Sequence, residues 1–168
     1  MGPTVSIWPT PESVAPTEAD LLRIARLLDA QALSASDFHI ASTAPIGGRT
    51  RVASSRPFGL ALSDVELDAS DLRSVASFIG FTPRVEVSAF AYANSVIDHR
   101  VLGELALFLA REYCGVVNFC GDLGSMISTE GKIMAVPYTT SAGVGVFHIG
   151  DAEFLASWLQ HPDFHMIK

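Results

Sequence analysis

Residues 84–121 read RVEVSAFAYANSVIDHRVLGELALFLAREYCGVVNFCG, and the fold is decided in this stretch. Val85, Val87 and Ala89 alternate along a short run, which predicts a strand. Asn94 and Ser95 then offer a helix N-cap, with Asp98 three residues after Ser95 as the acid of a capping box. Val101, Leu102, Leu105, Phe108 and Leu109 recur at helical spacing, so one face of this helix is apolar and packs inward. Gly115 stops the helix, and Val116, Val117 and Phe119 open the next strand. A strand, a helix and a strand in so few residues predict a βαβ unit, and so a sheet with a helix laid on it.

The flanking segments extend the same alternation. Thr4 to Trp8 (TVSIW) is β-branched and aromatic, hence a strand, and Pro9, Pro11 and Pro16 make the connection after it irregular. Thr17 and Asp20 form a second capping box before a helix whose apolar side is Leu21, Leu22, Ile24, Ala25, Leu27 and Leu28, expected to end near Ala32 to Ser34. Phe38 to Ser42 and Phe58 to Leu62 predict two strands either side of a turn at Gly47 and Gly48. Asp68 is the expected N-cap of a helix burying Leu72, Val75, Ala76 and Ile79 and ended by Gly80 and Pro83. Downstream, residues 121–131 (GDLGSMISTEG) read as a loop, 132–138 as a strand, SAGVG as a turn and 144–149 as a strand. Asp151 caps a last helix with Phe154, Leu155, Trp158 and Leu159 inward, His161 and Pro162 end it, and 164–168 are a candidate terminal strand. No linker parts two cores. The expectation is one α+β domain over 1–168, with a mixed, mostly antiparallel sheet and about four helices, arranged as two split βαβ halves.

Composition excludes several classes. The 168 residues are 49% apolar and 17% charged, too apolar for a disordered chain. No apolar run reaches the ~18 residues that cross a bilayer, and the N-terminal segment lacks the basic start and apolar stretch of a signal peptide, so a cytoplasmic protein is expected. Eighteen acids against eleven Lys and Arg give a formal charge of −7, which argues against direct nucleic-acid binding and suits a basic partner. The high apolar content also admits a homodimer formed through a sheet edge or an apolar face.

Candidate chemistry is sparse. Asp98 and His99 are adjacent, but neighbouring helix residues do not face each other, so Asp98 reads as a cap acid and not as half of an acid/base pair. His148, His161, Asp163 and His165 are the one candidate metal set, the basis of an alternative reading as a small metal-dependent hydrolase. Arg49, Arg51 and Arg56 could meet a phosphate or simply solvate a hairpin tip. Cys114 and Cys120 read as two reduced thiols, since neither their number nor their spacing suggests a disulfide framework or a zinc site. There is no nucleophile elbow, phosphate loop or dinucleotide fingerprint, so neither catalytic residues nor a cofactor is expected.

The run IDHRVLGELALFLAREYCGVVNF, then GKIMAVPY, then DAEFLASWLQHPDFHMIK, within residues 85–168, resembles an uncharacterised bacterial family of small cytoplasmic proteins. Its members often look like immunity proteins of polymorphic toxin systems. The most specific parts are Asp98-His99-Arg100 with Leu102-Gly103-Glu104-Leu105, and Trp158-Leu159 with His161-Pro162-Asp163-Phe164. The resemblance implies a role, binding and neutralising a cognate toxin, and brings no catalytic residues with it. A nuclease toxin would have the basic surface that an acidic inhibitor steers towards. The expected contacts are the acidic run Asp64, Glu66, Asp68 and Asp71, with Asp122 and Glu130 of the following loop as a second patch.

Overall fold

A computed structural model describes residues 2–124, 130–140 and 143–167. Seven strands and four α-helices follow in the order β1 (Thr4–Trp8), α1 (Glu18–Leu28), β2 (Phe38–Ser42), β3 (Arg51–Asp64), α2 (Ala69–Ile79), β4 (Val85–Ala91), α3 (Val96–Glu112), β5 (Val116–Asn118), β6 (Ile133–Thr140), β7 (Gly143–Gly150) and α4 (Ala152–Trp158). The strands form one sheet in the order β2-β3-β4-β1-β5-β7-β6, and every pairing is antiparallel. The expected α+β domain is what the chain forms.

The 84–121 stretch sits at the centre. β4 and β5 both pair antiparallel with β1, so they run parallel to each other with β1 between them. α3 is the crossover, which makes β4-α3-β5 a split βαβ unit. The first half does not form a second one, because α1 joins β1 to a strand running antiparallel to it, three places along the sheet.

Strand alternation gives the sheet two unlike faces. Val5 and Ile7 of β1, Val87 and Ala89 of β4, and Val117 of β5 meet α1, α3 and α4 in the main core, with Leu21, Leu102, Leu105 and Trp158 fully buried there. The opposite face carries only α2, over a small cluster of Trp8, Val75, Val136, Phe147 and Ile149. At ~25 cal/mol per Å² the larger face supplies most of the driving force, and the smaller leaves part of the sheet open.

Local chemistry sets the boundaries. The Thr17–Asp20 capping box is present, with Thr17 N–H donating to Asp20 Oδ2 at 3.1 Å. α1 ends at Leu28, earlier than expected. Asp29 turns the chain by accepting from the N–H groups of Gln31 (3.1 Å) and His39 (2.9 Å). β3 begins seven residues earlier than expected. Its exposed arm, RVASSRP, has no apolar alternation to announce a strand. α3 stops because Cys114 turns left-handed (φ 46), and Gly115 lies too close to β1 for a side chain: an added Cβ would stand 2.7 Å from Ile7 Cγ2 and 2.9 Å from the Trp8 carbonyl oxygen. The candidate terminal strand is a correction. Residues 164–167 are not in a strand; the Thr4 N–H donates to the Ile167 carbonyl and the Met166 N–H to His99 Nδ1. Two residues of the SAGVG turn and 125–129 of the preceding loop lie outside the described residues. No helix is long and apolar enough to cross a membrane among the described residues.

Candidate functional site

On the α2 face the three central strands present polar residues side by side. Ser6 of β1 is in register with Ser88 of β4 and Asn118 of β5. The Ser6 and Ser88 hydroxyls lie 2.9 Å apart. Glu86, next along β4, accepts from Trp8 Nε1 at 3.2 Å and from the Ser63 hydroxyl at 3.3 Å. Just past β5, Cys120 adopts φ 58, donates its N–H to Asn118 Oδ1 at 2.9 Å and brings Sγ to 3.7 Å from Ser6 Oγ. Desolvation by the neighbouring strands raises the Cys120 thiol above its ordinary range, although the residue itself is exposed at the rim of the row. This row is a hydrogen-bonded floor, since Ser6, Ser88, Glu86 and Asn118 each take part in a side-chain hydrogen bond.

The wall is the chain entering α2. Two adjoining depressions, about 400 Å³ and 410 Å³, share Glu66, Leu67, Glu86 and Asn118. Asp68 and Asp71 border the first, opposite Tyr138, and Asp64 borders the second. No Lys, Arg or His lines either among the described residues. The carboxylates of Glu66, Asp68 and Asp71 make no hydrogen bond or ion pair among the described residues. Asp68 stands at the N-cap of α2, but its side chain caps nothing, contrary to expectation. Charge at this density with no counter-charge suits an ammonium or guanidinium group, its aliphatic stem against Leu67 and the Tyr138 ring.

Sequence reasoning placed four of these acids and missed the fifth. Asp64, Glu66, Asp68 and Asp71 do gather on one groove, but Glu86 completes it from another strand. Its signal was available: in Val85-Glu86-Val87-Ser88 the polar residues alternate with the apolar ones, which puts them on the face away from the main core. The second expected patch does not join them. Asp122 lies 3.6 Å from His148 Nδ1 and accepts the Gly124 N–H, while the Glu130 N–H donates to Ser157 Oγ at α4; neither lines the groove.

The other candidates are structural. Asp98 is fully buried and faces away from His99 chemistry: its carboxylate takes Arg56 Nε (2.7 Å) and a second Arg56 nitrogen (2.6 Å), plus the Ser95 N–H (2.7 Å) and hydroxyl (2.6 Å). His99 bonds Asn94 and Met166 instead. Arg56 is thereby removed from the basic run, and Arg49 and Arg51 do not pair with it. Among His148, His161, Asp163 and His165 the structure brings His161 and Asp163 to 3.9 Å, while His148 meets Asp122 and His165 packs edge-on to Trp158. No three His, Cys, Asp or Glu among the described residues are placed to share an ion, so the metal set is not assembled here.

Fold and site together define an α+β protein with a seven-stranded antiparallel sheet, covered by three helices on one face and carrying an acidic groove on the other. The chain belongs to DUF6368, a family of unknown function whose model matches residues 1–168, the first half as well as the second. No curated protein and no solved structure matches it.

Proposed function

We propose that this protein is a non-catalytic binding protein, an immunity protein that occupies a cognate antibacterial toxin, and that the groove beside α2 is its contact surface. One observation carries the reading: Asp64, Glu66, Asp68, Asp71 and Glu86 surround one open groove with no basic residue in its lining. The resemblance of residues 85–168 to immunity-like proteins supplies the role, and the groove supplies the chemistry. A secreted nuclease fits best as the partner, because a surface that holds nucleic-acid phosphates is basic and complementary to these carboxylates.

The test starts from the reading frame next to this gene. Its product, or its C-terminal domain, should arrest growth when expressed alone and be tolerated with this protein present. A harmless neighbour would overturn the immunity role. With the toxin in hand, the Asp64→Lys/Glu66→Lys variant should associate about ten-fold more slowly at low salt and converge on the parent at high salt. Unchanged association kinetics in that folded variant would move the interface away from the groove.

A further inference from the structure

A second pocket, on the opposite side of the sheet, has the opposite chemistry. It lies between α3, α4 and the turn that follows β2, with a volume of about 330 Å³. The turn is held against α3 by Glu104, which accepts the N–H groups of Arg49 (3.2 Å) and Thr50 (3.1 Å) and the Thr43 hydroxyl. Gly48 permits that approach: a Cβ there would stand 2.5 Å from Glu104 Oε2. Glu104 thus fixes Arg49 beside α3. On α3 itself Arg100, Glu104, Leu107, Phe108 and Arg111 recur at helical spacing, so they form one stripe, and all of them line the pocket.

Three arginines therefore converge against one carboxylate, in a chain whose formal charge is −7. Arg100 is partly committed, donating to the Leu159 carbonyl and lying 5.0 Å from the centre of the Phe164 ring. The guanidinium groups of Arg49 and Arg111 make no hydrogen bond or ion pair among the described residues. An arginine whose backbone is anchored at the pocket and whose exposed fork is unspent suits the planar, bidentate recognition of phosphate oxygens. The turn's own N–H groups cannot serve, because Gly47 and Gly48 donate to Ala44 and Thr43, and Arg49 and Thr50 donate to Glu104. The anion must be held by side chains. Leu107 and Phe108 add an apolar wall.

We propose that this pocket binds a small organic phosphate, a monoester whose oxygens meet the Arg49 and Arg111 forks and whose apolar or aromatic body rests on Leu107 and Phe108. The site is independent of the acidic groove, which opens on the other face, and no reaction is assigned to it.

Phenyl phosphate is the probe, titrated into the full chain by calorimetry, with inorganic phosphate as the bare head group. Phenyl phosphate should bind saturably, and inorganic phosphate about ten-fold more weakly for want of the apolar body. Arg49→Gln and Arg111→Gln should each weaken phenyl phosphate by at least about ten-fold. Arg51→Gln, an exposed position on β3 outside the pocket, should bind like the parent. No saturable heat, or an equal loss in Arg51→Gln and the pocket variants, would overturn the proposal. Both pocket variants should melt with the parent. Early melting would overturn it too, since it would mean that these guanidinium groups already have structural partners.

Discussion

Asp98→Ala should be among the most damaging single substitutions in this chain. The carboxylate is fully buried and receives four hydrogen bonds, two from Arg56 and two from Ser95. Removing one partner of a buried pair costs about 3–5 kcal/mol, because the other charge is left in place without compensation. The Arg56 side chain is 29% exposed, so water returns to it and the low end applies. Losing the capping interaction at Ser95 adds about 1 kcal/mol. The expected loss is about 4 kcal/mol, a large share of a typical domain's stability. Arg56→Ala should cost about 3 kcal/mol, and the double variant about 2 kcal/mol less than the sum of the two. Urea unfolding at pH 7, followed through Trp8 and Trp158 fluorescence, measures all three. A loss below about 1 kcal/mol for Asp98→Ala, or strict additivity, would refute the reasoning.

The same pair predicts a pH dependence. Burial raises the Asp98 pKa, but hydrogen bonds from Arg56 and Ser95, with the Arg56 charge, outweigh it and hold the value at about 2 against 3.8 for the ordinary group. The folded value is the lower one, so the carboxylate stabilises the fold in full above about pH 4 and loses that contribution as pH falls towards 2. After allowance for the exposed part of Arg56, the amount is on the order of 1–2 kcal/mol. The gap between parent and Asp98→Ala should therefore be flat from pH 5 to 8 and shrink below pH 4.

Other substitutions separate groups that look alike in sequence. Asp68→Ala should change the unfolding free energy in urea by no more than about 0.5 kcal/mol, because this carboxylate caps nothing; Asp151→Ala should cost about 1–2 kcal/mol, because it accepts the N–H groups of Phe154 at 2.7 Å and Lys132 at 3.0 Å. Tyr113→Phe should be neutral or stabilising by up to about 1 kcal/mol in a thermal melt, since its buried hydroxyl has no hydrogen-bond partner among the described residues. Gly115→Ala should cost about 1–3 kcal/mol in the same melt, because its methyl group would press on the Trp8 backbone.

The fold was legible wherever burial leaves a period in the sequence. α3 shows this best: Val101, Leu102, Leu105 and Leu109 recur because they meet one sheet face, and all four are buried. The capping residues at Thr17, Ser95 and Asp151 were legible because a helix start needs acceptors for its orphan N–H groups. The misses occur where no burial writes a pattern. The exposed arm of β3 pairs with β2 by its backbone and anchors only Val52 and Arg56, too few side chains to show an apolar alternation, so RVASSRP looked like a loop. The end of α1 depended on Asp29 reaching His39 ten residues away, a contact that no local window contains.

The groove and the arginine pocket show the limit more sharply. Both are built from residues that local reading had already explained. Asp68 had its explanation as a cap and Arg49 as a hairpin tip, and each explanation was sufficient in isolation. The structure separates these roles by saturation. A carboxylate that truly caps, such as Asp151, has its oxygens spent on N–H groups, and an arginine that truly holds the fold, such as Arg56, has its fork filled. Asp68 and Arg49 have the positions of structural residues and side chains with nothing to hold. A charged side chain without a protein partner is solvated by water and adds little to stability, so it can meet a ligand group at small cost to the fold. The groove acids and the Arg49 and Arg111 forks lie on opposite faces of one sheet, so the cation contact and the anion contact proposed for them are separately testable.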